Sequence, residues 1–151
     1  MGVYNEPVRI ITRANSKGRT YDLQASQYAG GYPRPLKTES VTMAIYHLST
    51  KPISRASGRS ATASAAYRAS EKITDQLTGE VHDYSRKQGV LFSGIVTPNN
   101  EPVSRSDLWN KAELAEKRKD ARVAREIVIA LPDELSAEER QELTLTFANK
   151  I

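Results

Sequence analysis

From Met43 onward, apolar and polar positions fall into short runs with the rhythm of strands and helices; before it no run is convincingly paired. Ala44 to Leu48 is a short apolar and aromatic run, the pattern of a strand. Pro52 is expected to end it, because proline cannot donate to a ladder. Ser54 to Arg59 reads as a turn, with Gly58 free to take positive φ. Ser57 or Ser60 then caps a helix over residues 61–72, whose alanines favour helix and let it sit close on a sheet. Residues 73–84 read as a hairpin turning at Thr78-Gly79.

Residues 90–96 form a second apolar run, closed by Thr97-Pro98-Asn99-Asn100. Ser106 is expected to cap a helix over residues 107–122, with Leu108, Trp109, Ala112 and Ala115 on its apolar face. Residues 126–131 are nearly all apolar and predict a central strand, stopped by Pro132. Ser136 and Glu139 have the spacing of a capping box for a last helix. Leu143, Phe147 and Ile151 mark its buried side. The expected fold is α+β, with helices on one face of a mainly antiparallel sheet. Residues 1–42 stand outside this pattern. Their Val8 to Ile11 run has no evident partner, and Gly30, Gly31, Pro33 and Pro35 punctuate rather than build. They are read as a poorly ordered N-terminal extension to a domain spanning residues 43–151.

Charge sharpens the picture. The net charge of +4 divides into a basic body and an acidic end. Residues 1–125 carry 20 Lys/Arg against 12 Asp/Glu, whereas residues 126–151 carry 2 against 6. A basic body suits a polyanion, and it equally suits ordinary solvated surface. The seven Lys/Arg of residues 105–125 divide the same way, between a grip on DNA and a face softened by Asp107, Glu113, Glu116 and Asp120. Cysteine is absent, which excludes disulfides and thiolate metal sites and points to the cytoplasm. No apolar run approaches the roughly 20 residues that span a bilayer, and the first residues have no secretory pattern.

Tyr67 is the first candidate for chemistry. A phenol on a rigid helix, with Arg68 beside it and Arg55, Arg59 and Ser60 in the preceding turn, suits attack on a phosphodiester. The alternative is a ring packed for structure with its hydroxyl at the edge. Glu126 is the second candidate: a carboxylate opening an apolar strand can serve as a general base or orient a metal-bound imidazole. Its alternative is a strand-end charge paired with Arg125 or Arg122. His47 and His82 form no metal signature, so no metal ligand is assigned.

The segments MAIYHLS, SGRSATASAAYRAS, HDYSRKQGV, TPNN, LWN and VAREIVIALP resemble plasmid relaxases of the MobA/MobL type. These are tyrosine DNA-nicking enzymes of the His-hydrophobic-His class. The resemblance runs from Met43 to Ile151 and implies that Tyr67 is the nucleophile on single-stranded DNA at an origin of transfer. It implies an assisting role for Glu126; Arg55, Arg59, Ser60 and Arg68, read from the basic turn and helix around Tyr67, are the expected DNA contacts. It also implies a divalent cation, Mg²⁺ or Mn²⁺, held by three histidines on a strand beyond the last helix. The chain is therefore expected to be a truncated part of a relaxase domain, incomplete at the metal. The other expectation is a non-catalytic DNA-binding or accessory protein of the transfer complex.

Overall fold

The computed structural model of the chain describes residues 7–15, 18–26, 47–132 and 135–150. Strands β1 (Pro7–Asn15) and β2 (Gly18–Ser26) open it as an antiparallel hairpin. Strand β3 (Leu48–Ser54), a 3-10 turn at Arg55–Ser57 and helix α1 (Ala61–Ala69) follow. A two-stranded ribbon, β4 (Lys72–Thr74) and β5 (Val81–Asp83), leads to β6 (Val90–Val96). Helix α2 (Arg105–Ala115), strand β7 (Arg122–Ala130) and helix α3 (Ala137–Lys150) complete the chain. The main sheet has the order β3-β7-β1-β2-β6, and every neighbouring pair is antiparallel. This is an α+β fold.

The N-terminal segment departs from expectation. Far from making few contacts, it supplies the middle strand, β1, and its neighbour β2. The reason lies in β2. Tyr21 and Leu23 are buried on one face, while Asp22 and Gln24 are buried on the other. Tyr21-Asp22-Leu23-Gln24 alternates as a strand with one wet face would, yet here the polar side is buried as well. Asp22 is made tolerable there by Arg105, whose Nε donates to both carboxylate oxygens at 3.0 and 2.9 Å. Trp109 Nε1 and Gln24 Nε2 each donate to it at 2.7 Å. Burial pushes the Asp22 carboxyl up from its ordinary value, against the opposing pull of Arg105, Trp109 and Gln24. The Gly/Pro-rich residues 30–35 lie outside the described residues.

Alternation along β2 also decides where the helices sit. Asp22 meets Arg105 and Trp109 of α2, whereas Tyr21 and Leu23 cluster with Ala148 of α3. Helices α1 and α2 therefore cover one face and α3 the other, not a single face as the pattern suggested. The first core holds Trp109, Ile53, Ile73 and the small residues Ala61, Ala65 and Ala66 of α1. The second adds Leu131, Phe92, Ile127 and Phe147.

Boundaries shift for local reasons. Strand β3 runs through Pro52, which pairs opposite Arg125, because an edge strand tolerates a missing donor. Residues 44–46 of the expected strand lie outside the described residues. Helix α1 ends at Ala69, where Ser70 adopts a left-handed conformation at φ 56°. Helix α2 is capped by Ser104, not Ser106: the Asp107 amide donates to Ser104 Oγ at 3.0 Å. It ends at Ala115, so Lys117, Arg118 and Lys119 follow it and Arg122 belongs to β7. The capping box of α3 is present, with reciprocal bonds of 2.8 and 3.2 Å between Ser136 and Glu139. Its buried line is Thr144 and Ala148, while Leu143 is exposed.

Candidate functional site

The turn before α1 is held from several sides. Gly58 takes φ 68°, and its amide donates to the Arg55 carbonyl at 2.9 Å. Ser60 caps the helix by accepting from the Ala63 amide at 3.0 Å. Glu113, buried on α2, accepts from the Ala61 amide at 2.6 Å and so fills the next free donor. The same carboxylate binds Arg55 through Nη2 at 2.8 Å and Nε at 3.1 Å. Arg55 also donates to the carbonyls of Glu113, Glu116 and Arg118. Its guanidinium thus faces α2 and fastens the start of α1 to the end of that helix. This is a structural placement, although Arg55 also lines the cleft that Tyr67 borders.

Arg59, just before α1, and Arg68, in its last turn, converge on one carboxylate. Arg59 Nη2 lies 2.9 Å from Glu126 Oε2, and Arg68 Nη2 lies 2.6 Å from Glu126 Oε1. Arg68 Nε adds a second bond at 2.9 Å. Glu126 is almost fully buried on β7. Burial works against its charge, but the charge of Arg68 and the hydrogen bonds from Arg59 and Arg68 outweigh it. They hold its carboxyl below the ordinary glutamate value. A carboxylate so held is a weak proton acceptor; what it does here is fix two guanidiniums in place. The sequence offered Arg125 and Arg122 as partners, and the fold brings Arg59 and Arg68 instead.

Tyr67 projects from the last full turn of α1 and is 43% exposed. It borders a cleft of about 590 Å³ whose walls include Arg59, Ser60, Arg68, Leu77, His82 and Tyr84. The far wall is the β4–β5 ribbon. Asp75 shapes that wall, accepting from the Leu77 and Thr78 amides at 2.9 and 3.1 Å and from the Thr62 hydroxyl. Asn110 of α2 ties the ribbon down, donating to the Thr74 carbonyl at 2.9 Å and accepting from the Gln76 amide at 2.7 Å. His82 stands on the ribbon, 3.8 Å from Glu80, while His47 is exposed before β3. The structure therefore joins Tyr67, Arg59, Arg68 and Glu126 into one site, keeps Ser60 as its helix cap, and leaves His47 outside it.

Two further residues crowd Tyr67. The Tyr84 ring meets it edge-on, with centroids 5.2 Å apart and planes at 88°. Lys87 Nζ lies 4.7 Å from the Tyr67 centroid, and the Arg68 guanidinium carbon lies 5.3 Å from it. Tyr84 and Lys87 lie in the HDYSRKQGV segment. Nothing in their spacing from Tyr67 announces the contact.

Among the described residues, no group of three or more His, Asp, Glu or Cys is arranged to hold a metal ion. The charges nearest Tyr67 are cationic, and Glu126 and Glu113 are already paired with arginines. These donors do not fit a divalent cation. No described helix is long and apolar enough to cross a membrane.

A tyrosine on a short capped helix therefore stands over an antiparallel sheet, beside an Arg–Glu–Arg bridge. The chain belongs to the MobA/MobL family, whose model matches residues 59–151. It is 54% identical over 109 residues to the mobilization protein MobL of Acidithiobacillus ferridurans, covering 72% of this chain and 29% of that protein. It is 43% identical over 118 residues to the conjugal transfer protein TraA of Rhizobium radiobacter, covering 70% of this chain and 11% of that one. The solved structure described as "Molecular Basis of Vancomycin Resistance Transfer in Staphylococcus aureus" superposes with a TM-score of 0.67 at 41% identity. That match covers 72% of this chain and 57% of the other. The chain thus spans less than a third of these two curated relatives.

Proposed function

We propose that this chain serves plasmid mobilisation as the tyrosine-bearing part of a DNA relaxase domain. The observation that carries the reading is the placement of Tyr67. It is exposed on a short, firmly capped helix, with Arg68 beside it and Arg59 across the same cleft. In the proposed step, Tyr67 Oη bonds to the phosphorus of single-stranded DNA at the nic site. The bond from phosphorus to the 3′ oxygen breaks. The phenol gives up its proton, the 3′ oxygen leaves as a hydroxyl, and the 5′ phosphate stays on the protein. Arg59 and Arg68 line the same cleft and would bind the flanking phosphates with the charge that Glu126 leaves them. Ser60 keeps the helix start in register with them. The divalent cation of the family supplies charge stabilisation when bound; the described residues of this chain do not form its cage.

The test uses labelled single-stranded oligonucleotides tiling the DNA on either side of the coding sequence, with Mg²⁺ or Mn²⁺. Two proteins are compared on a denaturing gel: this chain, and this chain joined to the segment that follows the matched region in the Acidithiobacillus relative. The joined protein is expected to form a covalent adduct and the 151-residue chain little or none. Tyr67→Phe in the joined protein is expected to abolish the adduct, since its nucleophilic oxygen is gone, while DNA binding persists. An adduct that survives Tyr67→Phe names another nucleophile. Binding without an adduct in either protein favours an accessory DNA-binding role in the transfer complex.

A further inference from the structure

We infer that Tyr84 and Lys87 are positioning residues for Tyr67, a clamp that holds its ring in one rotamer for attack. The inference rests on the proposed role of Tyr67 and assigns the clamp to residues that role leaves unused.

The clamp is built by the backbone. Ser70 takes a left-handed conformation and the Glu71 amide donates to the Ala66 carbonyl at 3.1 Å, so the chain turns sharply off α1. It runs out along β4 and returns along β5. The Tyr84 amide then donates to the Glu71 carbonyl at 3.1 Å, which ties the exit of β5 to the exit of α1. The Lys87 amide donates to the Tyr84 carbonyl at 2.9 Å and closes a turn. Asp83 braces it, its Oδ1 accepting from the Ser85 amide at 3.1 Å and the Ser85 hydroxyl at 2.7 Å. One turn therefore delivers both Tyr84 and Lys87 to the same phenol.

The two contacts differ in kind. Tyr84 meets the ring edge-on at 5.2 Å, the geometry in which one ring's positive rim faces the other's negative face. Lys87 places an ammonium 4.7 Å from the ring centre. A half-exposed tyrosine on a helix otherwise samples two χ1 rotamers. Only one of them can point Oη along the line of attack, and small misplacements at a reacting atom are costly.

The test reads rotamer and rate separately. In the intact chain, the Hα–Hβ couplings of Tyr67 are expected to report one χ1 rotamer. They are expected to remain so in Tyr84→Phe and Lys87→Arg, and to become averaged in Tyr84→Leu and Lys87→Met. In a protein that forms the Tyr67 adduct, Tyr84→Leu is expected to slow the adduct step at saturating DNA by about tenfold or more. The DNA concentration for half-maximal rate should stay nearly unchanged, and Tyr84→Phe should restore the rate. Couplings that do not change in Tyr84→Leu and Lys87→Met overturn the clamp, as does an unchanged rate. If no Tyr67-dependent adduct forms at all, the reading of Tyr67 fails, and the couplings still decide the clamp.

Discussion

Arg68 and Glu126 stand 58 residues apart in sequence and meet at 2.6 Å, fixing α1 to β7. With Arg59 they make a buried bridge of two guanidiniums on one carboxylate. The bridge connects the helix that carries Tyr67 to an inner strand of the sheet, so the fold and the site are stabilised by the same bonds.

The bridge makes stability depend on acid in a definite direction. Glu126 titrates below the ordinary value of 4.5, because Arg68 and Arg59 outweigh its burial. Its contribution is fully present above that value and is lost as pH falls through the lower, folded one. Glu126→Gln is expected to destabilise the chain by about 1–3 kcal/mol at neutral pH. Urea titrations of both proteins should converge as pH falls below the ordinary glutamate value and through the lower, folded one, where wild type loses the same contribution. A gap that stays constant across that range would mean the bridge contributes through shape and not charge.

Asp22 makes a comparable demand on the N-terminal hairpin. It is the acceptor for Arg105 and Trp109, so truncating it leaves a buried guanidinium short of a partner. Asp22→Ala is expected to cost about 3–5 kcal/mol, the range for breaking a buried ion pair from one side. Removing residues 1–26 is expected to abolish cooperative unfolding, since the middle strand and its neighbour go with it. Trp109 is the sole tryptophan and sits fully buried in this network, so its emission follows both variants. A shortened chain that unfolds as sharply as the whole one would show that β1 and β2 are dispensable.

What the sequence made legible was local. The run of β6, the apolar length of β7, the Ser60 cap and the Ser136–Glu139 box each depend on neighbours a few residues away. The hairpin of β1 and β2 was not legible, because Asp22 and Gln24 place polar side chains where a strand buried on both faces should be apolar. Only Arg105 and Trp109, more than 80 residues on, make that burial tolerable. The site divides in the same way. Tyr67, Arg68 and Arg59 share one segment and were named together. The partners of Glu126 lie 58 and 67 residues before it, and no spacing rule connects them. The acceptors of Arg55 were hidden for the same reason: they are on and just after α2.

The start of α1 gives a smaller, cleaner prediction. Ser60 Oγ accepts from the Ala63 amide, one of the donors a helix leaves unpaired. Ser60→Ala is expected to cost about 1 kcal/mol, whereas Ser60→Asn should keep most of the cap. Hydrogen exchange at the Ala63 amide should quicken in the first variant and not in the second. Equal protection in both would mean that Glu113, through the Ala61 amide, secures the helix start unaided.

DNA binding provides the last prediction, because the bridge limits the charge available to phosphate. Arg59 and Arg68 remain partly exposed, at 30% and 19% of their side chains, while each is bound to Glu126. If they contact the backbone of single-stranded DNA, affinity should fall with salt at a log–log slope of roughly −0.7 per phosphate. Arg59→Gln and Arg68→Gln should each weaken binding and make that slope shallower by about 0.7. Glu126→Gln should act in the opposite sense. Without the carboxylate, both guanidiniums can turn fully to phosphate, so binding at low salt should tighten although the fold is weakened. Anisotropy of a fluorescent single-stranded oligonucleotide, titrated at several salt concentrations, reads all four proteins. An affinity indifferent to salt would exclude this electrostatic mode. Weaker binding by Glu126→Gln at temperatures where it stays folded would show that the bridge holds the arginines in their DNA-binding pose instead of withholding them.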